Sequence, residues 1–156
     1  MENHLIQLRD PGYPLLKRLR EKAPGTYYHG LLVGELAMQA AFRFKEANPL
    51  LALVGGQLHD LGKISTPEFF AENQDKNTFA LQEETILNHV KKGVKIGRAF
   101  NLPDEVIAII ASHHGNSLAP SLDENKKNRY PGPRPRTVEE TLVMLADSVE
   151  AAVRVR

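Results

Sequence analysis

The adjacent side chains of His59 and Asp60 are the feature of this sequence with the most direct chemical potential. An imidazole nitrogen and a carboxylate oxygen are both ligands for divalent metal ions. A carboxylate also has two oxygens, each with lone pairs, and can therefore touch two ions at once. We interpret this pair as the start of a centre for a pair of metal ions, whose other ligands must come from elsewhere in the chain.

Helical periodicity directs the other candidate ligands toward the interior. Each lies on or beside the apolar face of a segment predicted to be helical, because apolar residues recur near it at helical spacing. The full candidate set is His29, His59, Asp60, His89, His113, His114 and Asp147. The one other histidine, His4, lies in a polar N-terminal stretch, and we assign it no role.

The set is more informative than any of its members. A single inward histidine is more often a hydrogen-bonded core residue than a metal ligand. Burying five imidazoles and two carboxylates together is different, because each unpaired polar group costs about 1–3 kcal/mol and a bare carboxylate costs more. Divalent cations would neutralise the carboxylates and occupy the imidazole lone pairs. Ligation without sulfur suits iron, manganese, cobalt or nickel at least as well as zinc.

Size and composition restrict the class of protein. A chain of 156 residues, 42% of them hydrophobic, can bury one sizeable core, so we expect a single domain over 1–156. Its 20 basic and 19 acidic residues create no global field for a nucleic acid polymer or an anionic membrane. The absence of cysteine excludes disulfides and thiolate sites. We find no apolar stretch near the roughly 20 residues that span a bilayer and no signal peptide, and we expect a cytoplasmic location.

The predicted secondary structure is helical nearly throughout, and strand signals are weak. We predict helices at 14–22, 27–46, 49–61, 67–72, 80–100, 103–114 and 138–154. The longest irregular stretch, 116–136, contains a basic cluster that includes Lys126 and Arg134. Loops of this length are commonly functional or disordered.

Capping signals support these helix bounds. The predicted N-terminal signals are Asn48-Pro49, Thr66-Pro67 and a capping box that begins at Thr137. Gly62 and Gly115 are predicted to end helices, since glycine is the usual residue just beyond a helix C-terminus. Gly55 and Gly56 lie one turn before His59 and would let another backbone approach closely.

The ordered ligand set resembles the metal-binding pattern of the HD superfamily of phosphohydrolases in its two-metal form. Further motifs make the resemblance closer than superfamily level. They are similar to motifs in the cytosolic catalytic domain of the seven-transmembrane HD hydrolases that degrade cyclic di-AMP. These motifs occupy residues 23–29, 59–63, 72–74, 113–115, 130–135 and 145–152. The resemblance extends from about Leu8 to the end of the chain. It implies an all-α, single-domain HD-fold helical bundle around a binuclear metal site.

The resemblance also implies a ligand assignment and a reaction. One divalent ion would bind His29, His59, Asp60 and Asp147. The other would bind His89, His113, His114 and a bridging oxygen of Asp60. Iron and manganese are the leading metals for such a centre. A hydroxide held between the ions would attack phosphorus in line and open a cyclic dinucleotide, with cyclic di-AMP the first choice, to the linear dinucleotide.

Two basic residues are candidates for contact with the substrate's phosphate. Lys63, one helical turn after Asp60, is placed to touch a non-bridging oxygen and to assist catalysis, but its spacing suits a solvated lysine at a helix end equally well. Arg134 carries a guanidinium fork that suits phosphate, although a basic loop is usually solvated. Both alternatives stay open at this point.

Departures from the cyclic di-AMP hydrolases concern the walls around the substrate. The segment between Gln74 and His89 is shorter than the resemblance leads us to expect, and so is the segment between His114 and Tyr130. The surroundings of an adenine base would therefore differ. The chain itself contains no membrane span, although the resemblance is compatible with a membrane-anchored parent protein, of which the chain would be an excised or shortened catalytic domain.

Other function classes stay open beside cyclic di-AMP hydrolysis. The first is hydrolysis of another nucleotide by an enzyme of the same superfamily. The second is a di-iron HD-fold oxygenase that acts on a small polyol or phosphonate, against which the two candidate phosphate contacts argue. The third is a nucleotide sensor without turnover, against which the complete ligand set argues. The sequence does not indicate an oligomeric state.

Overall fold

The computed structural model describes residues 1–75, 82–121, 123, 125 and 127–154. Over these residues the chain forms seven α-helices, and its β-structure is limited to an isolated bridge between Leu118 and Arg129. The helices are α1 Glu2–Leu8, α2 Pro14–Lys22, α3 Pro24–Ala41, α4 Pro49–Leu58, α5 Glu83–Ala99, α6 Asp104–Ser112 and α7 Val138–Arg154. The predicted all-α class is confirmed. None of these described helices is both long enough and apolar enough to cross a membrane.

Helices α3 and α4 form the centre of the bundle and cross at a pair of glycines. A Cβ atom on Gly56 would lie 2.5 Å from the Cα atom of Gly34, so the close approach that we predicted at Gly56 occurs here. Helix α7 packs against both helices, and α6 packs against α4, α5 and α7. The shared core contains Val33, Val54 and Ile110, which are fully buried.

Helix α1 was missed by the prediction, which placed no helix before residue 14. Its seven residues, Glu2–Leu8, are too few for a stable isolated helix. Leu5 and Leu8 are nevertheless completely buried in the core, and α1 packs against α4. Tertiary packing rather than local propensity therefore stabilises this helix.

The bounds of α3 differ from the predicted range of 27–46. The helix begins three residues earlier, because Pro24 occupies its first turn, where the missing backbone N–H would have no intrahelical partner. It ends five residues earlier, at Ala41, and the chain continues in single turns. Phe42 and Phe44 are exposed, so no buried apolar face continues the helix beyond this point.

The chain after α4 also departs from the predicted helix of 49–61. The α-helix ends at Leu58, and a 3₁₀ turn follows at Leu61–Ser65. Gly62 lies within this turn, so its predicted role as a helix stop is wrong. A Cβ atom at Gly62 would lie 1.8 Å from the carbonyl oxygen of His89, which shows that glycine allows the turn to pack directly on α5.

The predicted helix at 67–72 is replaced by two short 3₁₀ turns, Pro67–Phe69 and Ala71–Asn73. Phe70 between them is extended, and its buried side chain belongs to a small apolar cluster beside α5. Thr66 occupies the predicted N-cap position and Pro67 the first position of the turn that follows, but the Thr66 side chain makes no capping hydrogen bond, and its hydroxyl group is buried without a hydrogen-bond partner among the described residues. Burial of Phe70 thus interrupts the helical pattern.

The remaining capping predictions are largely confirmed. The Asn48 side chain accepts hydrogen bonds from the backbone N–H groups of Leu50 and Leu51, the second and third residues of α4. The Thr137 hydroxyl accepts from the backbone N–H of Glu140 at 3.2 Å, while the Glu140 carboxylate accepts from the backbone N–H of Arg136 instead of that of Thr137. Gly115, three residues after the end of α6, has a φ of +51°, as expected of a glycine beyond a helix end.

The other helices lie close to their predicted bounds. Helices α2 and α7 coincide with 14–22 and 138–154. Helix α6 is shorter than 103–114 by one residue at its start and two at its end. Helix α5 begins at Glu83, whereas we predicted 80; the first two predicted positions lie outside the described residues, as does Lys126.

We expect Gly62→Ala to destabilise the protein by about 1–3 kcal/mol or more, because the new methyl group would overlap the backbone of α5. Urea denaturation followed by circular dichroism measures this free energy. Gly12→Ala is the matched control, since the atom nearest to its added methyl group is a movable side-chain oxygen of Asp10, 3.1 Å away. Equal denaturation midpoints for the two variants would contradict the close approach at Gly62.

Candidate metal centre

The seven candidate ligands come from five helices and meet inside the bundle. His29 lies on α3, His89 on α5 and Asp147 on α7, while His59 and Asp60 follow α4 and His113 and His114 follow α6. The ligand atoms form two groups, each within 4.8 Å. One group contains His29, His59, Asp60 and Asp147, and the other contains Asp60, His89, His113 and His114. The structure therefore brings together the two sets that the resemblance implied.

Asp60 lies between the two groups and faces each with a different oxygen. Its Oδ2 atom is 3.5 Å from Nε2 of His29 and 3.3 Å from Nε2 of His59. Its Oδ1 atom is 3.2 Å from Nε2 of His89 and 3.5 Å from Nε2 of His113. Only 3% of the Asp60 side chain is exposed. This division of the two oxygens is the geometry that a bridging carboxylate requires.

Three of the histidines are oriented by their own helices. The Nδ1 atoms of His59, His89 and His113 lie 2.7, 2.5 and 2.8 Å from the carbonyl oxygens of Gly56, Ile86 and Ile110, respectively. A carbonyl oxygen only accepts hydrogen bonds, so each Nδ1 atom carries the proton. In the neutral ring the Nε2 atom then holds a lone pair directed at the centre, which is the usual arrangement of metal-ligating histidines.

The other ligands are held by side chains. His29 places Nδ1 2.5 Å from a carboxylate oxygen of Glu150, and its Nε2 atom lies 3.0 Å from Oδ1 of Asp147. The ring of His114 stacks on Tyr130, with 4.1 Å between the ring centroids and 20° between the planes. His114 is also the most exposed of the five histidines in the centre, with 22% of its side chain accessible.

The donor set fits metal ions. Nε2 of His29 lies 3.3 Å from Nε2 of His59, and Nε2 of His89 lies 3.3 Å from Nε2 of His113. Facing lone pairs repel unless a proton or a cation lies among them. The Oδ1 atom of Asp60 is buried and has no hydrogen-bond donor among the described residues, which leaves an anionic oxygen for a cation. Nitrogen and oxygen donors at these positions suit a divalent metal in each group.

The pKa values respond to the buried carboxylates. Burial lowers the pKa of His59, but the neighbouring Asp60 and Asp147 carboxylates raise it by more, to about 10. A proton on Nε2 thus offsets part of the negative charge, and a metal ion would take the place of that proton. In the other group, burial lowers the pKa of His113 and, further still, that of His114, so both rings are neutral and available as ligands.

Lys63 is held tightly beside the centre. Its Nζ atom lies 2.7 Å from Oδ2 of Asp60 and 2.8 Å from Oε1 of Glu72, and it lies 4.9 Å from the ring centroid of Phe70. Only 12% of the side chain is exposed, so the solvated-lysine interpretation is wrong. Burial lowers the pKa of Lys63, but the two carboxylates raise it well above its usual value. The ammonium group is therefore charged at neutral pH.

Glu72 is a residue to which sequence analysis gave no role. Its carboxylate accepts hydrogen bonds from the Thr26 hydroxyl at 2.9 Å and from Lys63 at 2.8 Å. Asn73 completes the link to the start of α3, since its side chain accepts from the backbone N–H of Thr26 and donates to the Thr26 hydroxyl. In the sequence, these contacts of Glu72 and Asn73 were indicated only by the motif at 72–74.

A cavity of about 690 Å³ opens over the centre, a volume typical of small-molecule sites. His29, Lys63, His89, His114 and Asp147 line it, and Phe69, Phe70, Ile86, Leu118 and Tyr130 form an apolar wall. Arg154, which we did not predict as a site residue, also lines it. The structure does not place Arg134 there. Arg134 lines a separate cavity of about 410 Å³, and His114 and Ser117 line both cavities.

Comparison with known proteins identifies the family. The model of the HD domain matches residues 26–152. The chain belongs to the HD-domain family. This family is metal-dependent, in agreement with the two histidine and aspartate groups of this HD domain.

Two relatives of this HD domain are named as cyclic-di-AMP phosphodiesterases. It is 38% identical over 96% of its length to cyclic-di-AMP phosphodiesterase PgpH of Bacillus subtilis and 38% identical over 97% to PgpH of Listeria monocytogenes. The chain spans 23% of the length of each of these relatives. It also resembles the crystal structure of the L. monocytogenes PgpH HD domain in complex with cyclic-di-AMP, with a TM-score of 0.85, 38% identity, and coverage of 94% of this chain and 76% of that one.

Proposed function

We propose that this HD domain hydrolyses cyclic di-AMP to the linear dinucleotide with the help of two divalent metal ions. The observation that carries the proposal is the pair of ligand groups that share Asp60, each of which contributes two residues to the lining of the large cavity. The relatives support the choice of substrate, because PgpH is a cyclic-di-AMP phosphodiesterase and its HD domain has been solved with that nucleotide. In this proposal the single HD domain extends over 1–156 and works in the cytoplasm.

The seven predicted ligands would hold the metals, with Asp60 shared between them. His29, His59 and Asp147 would complete one position, and His89, His113 and His114 would complete the other. Iron and manganese are the metals that we propose for this sulfur-free set. When bound, the two ions would supply a strongly nucleophilic water at neutral pH and would neutralise charge on the phosphoryl oxygens.

Lys63 has one hydrogen-bond donor left for a phosphate. An ammonium group has three N–H bonds, and the Asp60 and Glu72 carboxylates account for two of them. Because Lys63 also lines the cavity, its third N–H can donate to a non-bridging phosphate oxygen beside the metal ligands. The two carboxylates prevent the ammonium group from moving away when the cavity is empty.

The apolar wall suits the rest of a dinucleotide. Phe70 and Tyr130 are buried aromatic residues on this wall, and Ile86 packs with them. Such a surface fits the faces of bases and keeps bulk water away from the phosphate. In this proposal Arg134 contacts a second phosphate in the neighbouring cavity, which His114 also lines. This contact forms only when the substrate extends from the large cavity into the neighbouring one.

A panel of substrates tests the proposed reaction. We expect protein loaded with Mn²⁺ or, anaerobically, with Fe²⁺ to convert cyclic di-AMP to the linear dinucleotide, to act more slowly on cyclic di-GMP, and to do neither after metal removal. Chromatography of the products measures each rate, and an oxygen electrode tests the oxygenase alternative. Much faster turnover of linear phosphodiesters or nucleoside triphosphates would refute the substrate assignment. Metal-dependent consumption of oxygen would refute the hydrolase assignment itself.

A further inference from the structure

The histidines that face Asp60 are oriented in two different ways. His59, His89 and His113 each place Nδ1 against a backbone carbonyl oxygen of their own helix, three residues earlier. His29 instead places Nδ1 against the carboxylate of Glu150, which lies on another helix. Among the described residues, His29 has a carboxylate at the ring nitrogen opposite its Asp60-facing nitrogen, whereas His59, His89 and His113 have backbone carbonyls there, so the two ligand groups are supported unequally.

Glu150 is fixed where it can act on His29. Its Oε2 atom lies 2.5 Å from Nδ1, and the side chains of Glu150 and His29 are only 10% and 3% exposed. Asp147, one helical turn earlier on α7, approaches the opposite nitrogen of the same ring at 3.0 Å. The Nε atom of Arg154 lies 3.4 Å from the same Glu150 oxygen, and its Nη1 atom lies 3.7 Å from Glu72.

A carboxylate affects an imidazole more strongly than a carbonyl does. Hydrogen bonds to an ionised acceptor are shorter and roughly twice as strong as neutral ones. A carboxylate that accepts from Nδ1 also makes Nε2 a more basic metal ligand and prevents rotation of the ring. Loss of such a partner typically lowers metal affinity about 10- to 100-fold.

We propose that Glu150 is a positioning residue that selectively strengthens the metal position formed by His29, His59, Asp60 and Asp147. It acts through His29 and touches neither metal nor substrate. The two positions of the centre thereby differ in their affinity for metal, although they share Asp60. The position that contains His29 depends on the Glu150 carboxylate of α7. This inference rests on the proposed two-metal centre, and it assigns a role that is separate from the choice of substrate.

Metal titration of charge-neutralising variants tests the proposal. Glu150→Gln retains an oxygen that accepts from Nδ1 but removes the charge, and Glu150→Ala removes both. Glu139→Gln is the matched control, because Glu139 is a buried carboxylate on the first turn of α7 that bonds to the backbone N–H of Asn48, away from the centre. Metal-stripped protein is titrated with Co²⁺, whose visible absorption reports the coordination of each position.

We expect wild type and Glu139→Gln to bind two Co²⁺ ions. Glu150→Gln should lose about 10- to 100-fold in affinity at one position, with a changed absorption band, and should retain the other. Glu150→Ala should lose more at the same position. Wild-type affinities in both Glu150 variants, or equal weakening of both positions, would overturn the inference. The same loss in Glu139→Gln would overturn it too, by showing a general effect of α7.

The failure of this inference can be distinguished from failure of the proposed function. Two Co²⁺ ions bound unchanged by the Glu150 variants would refute only the role of Glu150. Wild-type protein that binds no Co²⁺ would refute the metal centre and this inference with it. Hydrolysis of a different nucleotide would refute the substrate assignment and leave the titration result standing.

Discussion

Replacing Asp60 by alanine should remove most of the metal from both positions, the largest effect that we expect from a single substitution. Asp60 directs one oxygen at each ligand group, so its loss removes an anionic ligand from both. His29→Ala should mainly empty one position, because His29 belongs to a single group. Elemental analysis of anaerobically purified protein gives the metal content per chain.

Circular dichroism provides the control for this comparison, since both variants must retain a helical spectrum. Removal of a buried charge among histidines is not expected to unfold the bundle, because the apolar core between α3, α4, α6 and α7 is untouched. An unchanged metal load in Asp60→Ala would contradict a bridging role for this carboxylate.

Lys63→Ala should keep full metal content but should lower kcat/KM by about 10- to 100-fold. A charge-assisted hydrogen bond to phosphate is worth about 1.5–3 kcal/mol, and the variant removes the ammonium group that would donate it. Metal should stay bound because Asp60 loses a competing cation and keeps both oxygens. Kinetics at matched metal occupancy measures the effect.

Arg134→Ala provides an internal comparison for this prediction. We expect it also to keep its metal and to lose efficiency, since a second phosphate contact is proposed for it. Its loss should be the smaller of the two, because Arg134 lines the neighbouring cavity and Lys63 lies beside Asp60. Wild-type efficiency in Lys63→Ala would refute its phosphate contact, and the same result for Arg134 would confine the substrate to the large cavity.

The position of the candidate ligands was predictable because helical periodicity carries the information. His29 and His89 lie within long helices whose buried residues recur at helical spacing, so the inward direction of each ring follows from its neighbours. Asp147 shares such a face on α7. Periodicity alone, however, does not bring separate helices to one point, and the ordered resemblance to a known family supplied that information.

The supporting residues were not predictable in the same way. Glu72 lies in a short 3₁₀ turn, where no helical period indicates the direction of a side chain. Glu150 lies on α7 with 10% of its side chain exposed, and nothing in its sequence neighbourhood reveals that His29, 121 residues earlier, lies opposite. Contacts between residues so distant in sequence depend on how helices pack. Of the two carboxylate partners of Lys63, Asp60 lies only three residues earlier and was expected nearby, whereas Glu72 had to be located by the fold.

Turns caused the main errors in the predicted fold. The segment from Leu61 to Asn73 contains proline and polar residues with helix-like spacing, yet it forms three 3₁₀ turns around the buried Phe70. Packing against α5 selects this path, as the contact of Gly62 with the backbone of His89 shows. Tertiary contacts override local signals in such short elements. They also determine where Lys63 and Glu72 lie relative to the metal centre.

The most direct test of the account is to measure hydrolysis while the metal content is raised stepwise. Metal-stripped protein would receive Mn²⁺ in increments from none to two ions per chain, and the conversion of cyclic di-AMP to the linear dinucleotide would be followed by chromatography at each step. We predict that no product forms without metal and that activity reaches its full value only as the second ion binds. Full activity in stripped protein, or the absence of any hydrolysis with both ions bound, would contradict the account.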